Sequence, residues 1–220
     1  VADMQTVQAA HQDIANFKID TAKIFIDGVT EGNPYSNPPT LPNAASLNNY
    51  LQPVFGVDPD SGAIVVQSYV DTESAACARG RALNSAADKK AFYQEHGFLA
   101  AQCTQSNGVL EKEAEFLHNY TLALVSTGIN VHSHAIGDRA VRFALDAFEA
   151  ARKANPDSTA NLSMAHAQFI DADEIGRLAE LDVYPTFTYG WIEPDEGYLM
   201  TVSPFLDHIK SAEDLFDPSD

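Results

Sequence analysis

The chain has 220 residues, enough for one domain with a real core, and its 45% hydrophobic and 10% aromatic content excludes an intrinsically disordered segment. Thirteen basic residues face 31 acidic ones, a formal net charge of -18 with the seven histidines neutral. So acidic a surface repels phosphate backbones and anionic lipid, so neither nucleic acid nor membrane is expected as a partner.

No apolar run approaches a membrane span, and no signal peptide is visible. The first residue is Val1, not Met, so the natural start and any targeting segment are expected upstream. Cytoplasmic and exported locations both stay open. Cys77 and Cys103 are the only cysteines, and neither belongs to a CxxC pair, which argues against a zinc–thiolate site. They form one disulfide if the protein is exported, or remain two reduced, partly buried thiols. The two readings stand level.

Residues 1–16 read as a helix with a polar face, and AKIFID (22–27) reads as a strand closed by Gly28. Residues 33–59 contain Pro34, Pro38, Pro39, Pro42, Pro53 and Pro59 and cannot be regular helix. AIVVQSYV (63–70) reads as a strand after the Asp60-Ser61-Gly62 turn, and residues 85–96 read as a helix. The span 33–108 is therefore expected to be an insertion in a single domain covering 1–220, and insertions of this length commonly form lids or binding walls.

After Gly108 the rhythm changes. Helix is predicted over 111–127 and stopped by Gly128, strand over 129–134 (INVHSH), helix over 138–154, strand over 162–166 (LSMAH), helix over 171–181, and strand over 183–188 (VYPTFT). Asp171 and Glu174 have capping-box spacing at the start of the third helix. Alternating strands and helices imply parallel βα units in an α/β fold. A complete (β/α)8 barrel takes roughly 250 residues, and the insertion consumes about a third of this chain. About four units remain, so the fold is either a smaller open α/β sheet or part of a barrel. Neither GxGxxG nor GxxxxGK[ST] occurs, which speaks against a nucleotide site.

In a strand every second side chain shares a face. His132 and His134 share one face of INVHSH, with His134 at the carboxyl end, where barrel active sites are built. Leu162, Met164 and His166 share a face of the next strand, and His166 again closes it. Strands about 4.8 Å apart would let two imidazoles converge on one metal ion. Lys23, with Phe25 and Asp27, shares a face of the first strand. A lysine buried there would be costly unless neutral or paired.

The plainer readings keep their weight. One histidine at a strand end is ordinarily structural; two at matching ends of consecutive units bring ligation level with the structural reading. Lys23 alone reads more naturally as a lysine reaching water. Asp138 reads as a helix N-cap as readily as a catalytic group, and Arg139 as the partner of a nearby carboxylate. His11, His96, His118 and His208 read as solvated surface. Phe187, Tyr189 and Trp191 either line a pocket or pack on the core.

Three segments, AKIFIDG (22–28), HAIGDRA (134–140) and AHAQ (165–168), resemble in order and spacing amidohydrolase family 3. This branch of the amidohydrolase superfamily includes N-substituted formamide deformylase-like and YtcJ-like proteins. HAIGDRA is the most specific of the three, and Ala165 stands where many relatives carry glutamate. The resemblance implies a partial metal-dependent hydrolase (β/α)8 TIM barrel, covering barrel strands four to seven. It implies that Lys23 is the strand-four lysine, carboxylated on its amine to bridge metals, and that His134 and His166 are the ligands of strands five and six. His132 is not among the implied ligands, and a supporting role for it stays open. The implied activity is hydrolysis of carbon–nitrogen, non-peptide amide-type bonds by a metal-activated water, on a small-molecule substrate. The implied cofactor is one or two divalent metal ions, zinc being the expected one, and homo-oligomerisation is compatible with it.

No HxH pair precedes Lys23, and no strand bearing the general-base aspartate follows the Thr186 region. The chain alone is accordingly expected to be an inactive internal portion of a longer parent. The rival reading is a non-catalytic regulatory or binding protein that keeps the amidohydrolase-like fold.

Overall fold

The computed structural model describes residues 1–191 and 195–206. The chain divides into two compact units, 1–28 with 109–189, and 29–108 with the described residues from 190 onward.

The first unit opens with α1 (Ala2–Ala10), which ends six residues short of the expected helix and buries no side chain. Its sheet is parallel and has four strands, β1 (Thr21–Phe25), β4 (Asn130–Ala135), β5 (Leu162–His166) and β6 (Val183–Phe187), in that spatial order. The connecting helices are α4 (Ala114–Ser126), α5 (Asp138–Ala154) and α6 (Ala172–Glu180). This is the βα alternation expected from the sequence.

One sheet face is apolar and covered. Ala22, Ile24, Val131, Ala135, Leu162 and Met164 lie on it and are buried. Helix α5 supplies Val141, Ala144, Leu145, Phe148 and Ala151, a stripe at helical spacing that buries against this layer. Helix α4 is C-capped by Thr127, and Gly128 follows in the left-handed region at φ +74°, a conformation that costs glycine no Cβ clash.

Asp171 caps α6, accepting the Asp173 N–H at 3.0 Å, but the expected reciprocal half of a capping box does not form. The Glu174 carboxylate instead accepts from Arg142 Nε at 2.5 Å and Arg177 Nη1 at 2.7 Å. Two guanidinium donors outweigh one backbone N–H for a carboxylate that is only 4% exposed. Asp138 is not the N-cap of α5. Gly137 is, and Asp138 opens the helix, accepting from Arg139 N at 2.8 Å.

The second unit holds an antiparallel pair, β2 (Pro53–Val57) with β3 (Ile64–Tyr69). Strand β2 went unread in the sequence because prolines flank it. Its turn is built on Asp58, whose Oδ1 accepts from the N–H groups of Asp60 and Ser61 and from Ser61 Oγ. Helices α2 (Ala75–Arg81) and α3 (Ala86–His96) follow, capped by Ser74 and Ser85, and then a 3-10 turn, Ala100–Cys103. Cys77 and Cys103 form a disulfide inside a cluster with Phe92 and Ala100, so the disulfide reading of the pair holds. His96 is not solvated surface. Its ring packs 4.5 Å from that of Phe92 and 5.7 Å from that of Phe98. His208 lies outside the described residues. Among the described residues no helix is long and apolar enough to cross a membrane.

Candidate metal centre

His134 and His166 lie at the carboxyl end of the four-stranded sheet, and Lys23, in the middle of β1, shares the open face with His134. Register puts Lys23 beside His132, and Phe25 beside His134. His134 in turn pairs with Ala165, and His166 pairs with Ala135. His134 and His166 are therefore offset by one residue rather than level. Residues paired across a parallel ladder point the same way. Strict alternation would place His166 with Leu162, Met164 and Ala135 on the covered face, opposite His134.

The backbone resolves the conflict. His166 has φ +76° and Ala167 φ +44°, two consecutive non-glycine residues in the left-handed region. Such conformations cost on the order of 1–3 kcal/mol each and cluster at functional sites. Leaving the extended conformation frees His166 from the strand's alternation, and its ring lies 4.7 Å from that of His134, edge to face.

The His134 side chain is buried, with 7% of the residue exposed. Its Nε2 lies 3.0 Å from the Gly28 carbonyl oxygen and 3.6 Å from Asp27 Oδ1. A carbonyl only accepts, so Nε2 carries the proton and donates. The neutral ring then has its lone pair on Nδ1. That Nδ1 is buried and has no hydrogen-bond partner. Buried polar atoms are seldom left orphaned, and an imidazole lone pair with a fixed tautomer fits a divalent cation.

His166 Nδ1 lies 2.8 Å from Thr188 Oγ1. His132 Nδ1 lies 2.8 Å from Ser163 Oγ, which itself donates to the Val131 carbonyl at 3.2 Å. Ser163 has one hydroxyl proton, so His132 Nδ1 donates to it. Burial, followed by electrostatic coupling to His134, Lys23 and His132, holds His166 below the ordinary imidazole range. Burial and Lys23 do the same to His132. Both shifts favour the neutral rings that bind metal.

Lys23 is exposed, as the reading of a lysine reaching water expects, because the open sheet face leaves it in solvent. Its Nζ lies 4.9 Å from the centroid of the Phe25 ring, and that ring lies 4.9 Å from the His134 ring. The amine is within electrostatic reach of His132 and His166. Among the described residues, no three His, Cys, Asp or Glu side chains are arranged to hold an ion, so the candidate donor set is two imidazoles and one lysine.

Sequence reasoning passed over Asp27. It is 2% exposed, and Oδ1 and Oδ2 accept from the N–H groups of Ile136 at 3.0 Å and Gly137 at 2.9 Å. The signal was present: the residue follows Lys23 and Phe25 on the same strand face. Phe187 and Tyr189 do not pack on the core, being 61% and 85% exposed.

A family model described as the amidohydrolase family matches residues 66–201. The chain belongs to the amidohydrolase family. The matched region of this amidohydrolase-family chain includes His134 and His166, whereas Lys23 and Asp27 precede it. Protein LONG AFTER FAR-RED 3 of Arabidopsis thaliana is 29% identical over 104 residues, 47% of this chain and 16% of that protein. An uncharacterized metal-dependent hydrolase from Pyrococcus furiosus is similar at 30% identity and TM-score 0.32, over 37% of this chain and 16% of its own. A second, from Pyrococcus horikoshii OT3, is similar at 19% identity and TM-score 0.41, over 84% of this chain and 26% of its own. The chain thus spans 16% of the length of the curated relative it matches.

Proposed function

We propose that this chain carries part of the metal site of a hydrolase acting on carbon–nitrogen, non-peptide amide-type bonds of a small molecule. In this reading its sheet is one arc, strands four to seven, of a (β/α)8 barrel completed by a longer parent of the N-substituted formamide deformylase-like or YtcJ-like branch, and the chain alone is inactive. Lys23, His134 and His166 hold one or two divalent ions, zinc being the expected metal. His134 would ligate through Nδ1 and His166 through Nε2, with Lys23 contributing as its carboxylated amine. A divalent ion supplies Lewis acidity there, polarising a carbonyl and lowering the pKa of water.

The chain's own residues supply the frame. Gly28 and Asp27 orient His134, Thr188 orients His166, and the left-handed turn at residues 166–167 brings the two rings together. The observation that carries the reading is the buried, unpartnered Nδ1 of His134 beside the His166 ring.

Elemental analysis of the longer parent tests it. Bound divalent metal is expected, and His166→Ala should remove most of it. Unchanged metal content in that variant rules out His166 as a ligand. A non-catalytic binding protein is the second reading. A parent that binds metal but hydrolyses no amide or formamide substrate would support it.

A further inference from the structure

Asp27 is a charged group with no exposed side-chain surface, and burying a carboxylate is costly unless its charge is put to use. Its two oxygens accept from Ile136 N and Gly137 N, so it clamps the turn that follows His134 on β4. Its Oδ1 lies 3.6 Å from His134 Nε2, and the next residue, Gly28, presents the carbonyl that accepts from that same nitrogen. Placing Asp27 therefore places Gly28, and its negative charge favours a proton on Nε2 over Nδ1. Anchoring the start of α5 would account for the two backbone contacts. It would not account for the carboxylate and the carbonyl converging on one ring nitrogen while the other stays buried and unpartnered.

We propose that Asp27 is a positioning residue that holds His134 in its Nε2-protonated form, so that Nδ1 is presented to a divalent cation. The inference rests on the metal reading of the site. Carboxylate partners of ligating histidines typically govern about 10–100-fold in metal affinity.

The test uses 15N-histidine spectroscopy at pH 7.5 without metal, together with Co2+ titration, on the wild-type protein and on Asp27→Asn, which keeps the size and removes the charge. The wild-type His134 ring should be protonated on Nε2. The variant should show a population protonated on Nδ1 and bind Co2+ about 10–100-fold more weakly, with Asp27→Glu recovering part of both. A wild-type ring protonated on Nδ1 overturns the proposal even if no variant folds. An unchanged tautomer in Asp27→Asn also overturns it, whatever happens to stability or affinity, because it assigns Asp27 a purely structural role. A wild-type ring in the Nε2-protonated form that takes up no Co2+ overturns the metal reading while leaving the Asp27–His134 coupling in place, so the two failures are distinguishable.

Discussion

His166 owes its place in the site to two backbone angles. Residues 162–166 by themselves put it in line with Leu162 and Met164, and the observed register would send all three to the covered face. The left-handed φ values at 166 and 167 bring its ring to His134. Replacing Ala167 with Val should therefore disturb the site, since a β-branched residue tolerates positive φ poorly. We expect a loss of about 1–3 kcal/mol in stability, read by urea titration, and Ala167→Gly should be neutral or mildly stabilising. Equal stabilities for the two variants would mean the turn carries no strain. The rings also set a pH dependence. His132 and His166 titrate below their unfolded value of about 6.5. Between the folded and unfolded values the unfolded chain binds more protons, so stability is flat above that window and falls as pH descends through it. In metal-free protein, the urea midpoint should fall less from pH 7.5 to 5.5 in the His132→Gln, His166→Gln double variant than in wild type. Parallel curves would remove the two rings from the account.

Helices α5 and α6 are joined by Glu174, which binds Arg142 and Arg177, while Arg177 also reaches Asp146 and Glu149 at 2.9 Å each. Glu174 is buried, and removing one partner of a buried pair leaves the others uncompensated. Glu174→Ala should cost about 2–4 kcal/mol, the lower end reflecting the partly exposed guanidinium of Arg142. Thermal unfolding of the variant checks this, and a shift close to zero would reclassify the cluster as a solvated surface network. In the second unit, the Cys77–Cys103 bond closes a loop of 26-residue separation, worth about 3.5 kcal/mol on chain-entropy grounds. The Cys77→Ser, Cys103→Ser variant should unfold at a markedly lower temperature than the oxidised protein. Wild type under strong reductant should behave like that variant. If reduction leaves the melting temperature unchanged, the bond does not contribute to stability.

At the scale of the molecule, one sheet face is packed and the other carries Phe25 and Tyr184, each more than half exposed. Open apolar surface on a sheet invites association. If this sheet is an arc of a barrel, the chain expressed alone should self-associate or bind a hydrophobic dye at micromolar concentration, and a parent carrying the flanking strands should do neither. Sedimentation of the two proteins decides it, and a monomeric, dye-silent chain counts against the barrel.

The sequence alone determined the elements whose periodicity is local: β5 and α5 to their observed ends, the order of the βα units, and the candidates Lys23, His134 and His166. Those follow from spacing along one strand or helix, which the chain itself encodes. It did not disclose β2, shielded by its flanking prolines, or Asp27, whose partners lie more than 100 residues away in the chain. Nor did it disclose the turn of His166 out of its strand. Those depend on which strand lies beside which and at what offset, and side-chain alternation cannot say where the backbone will depart from it.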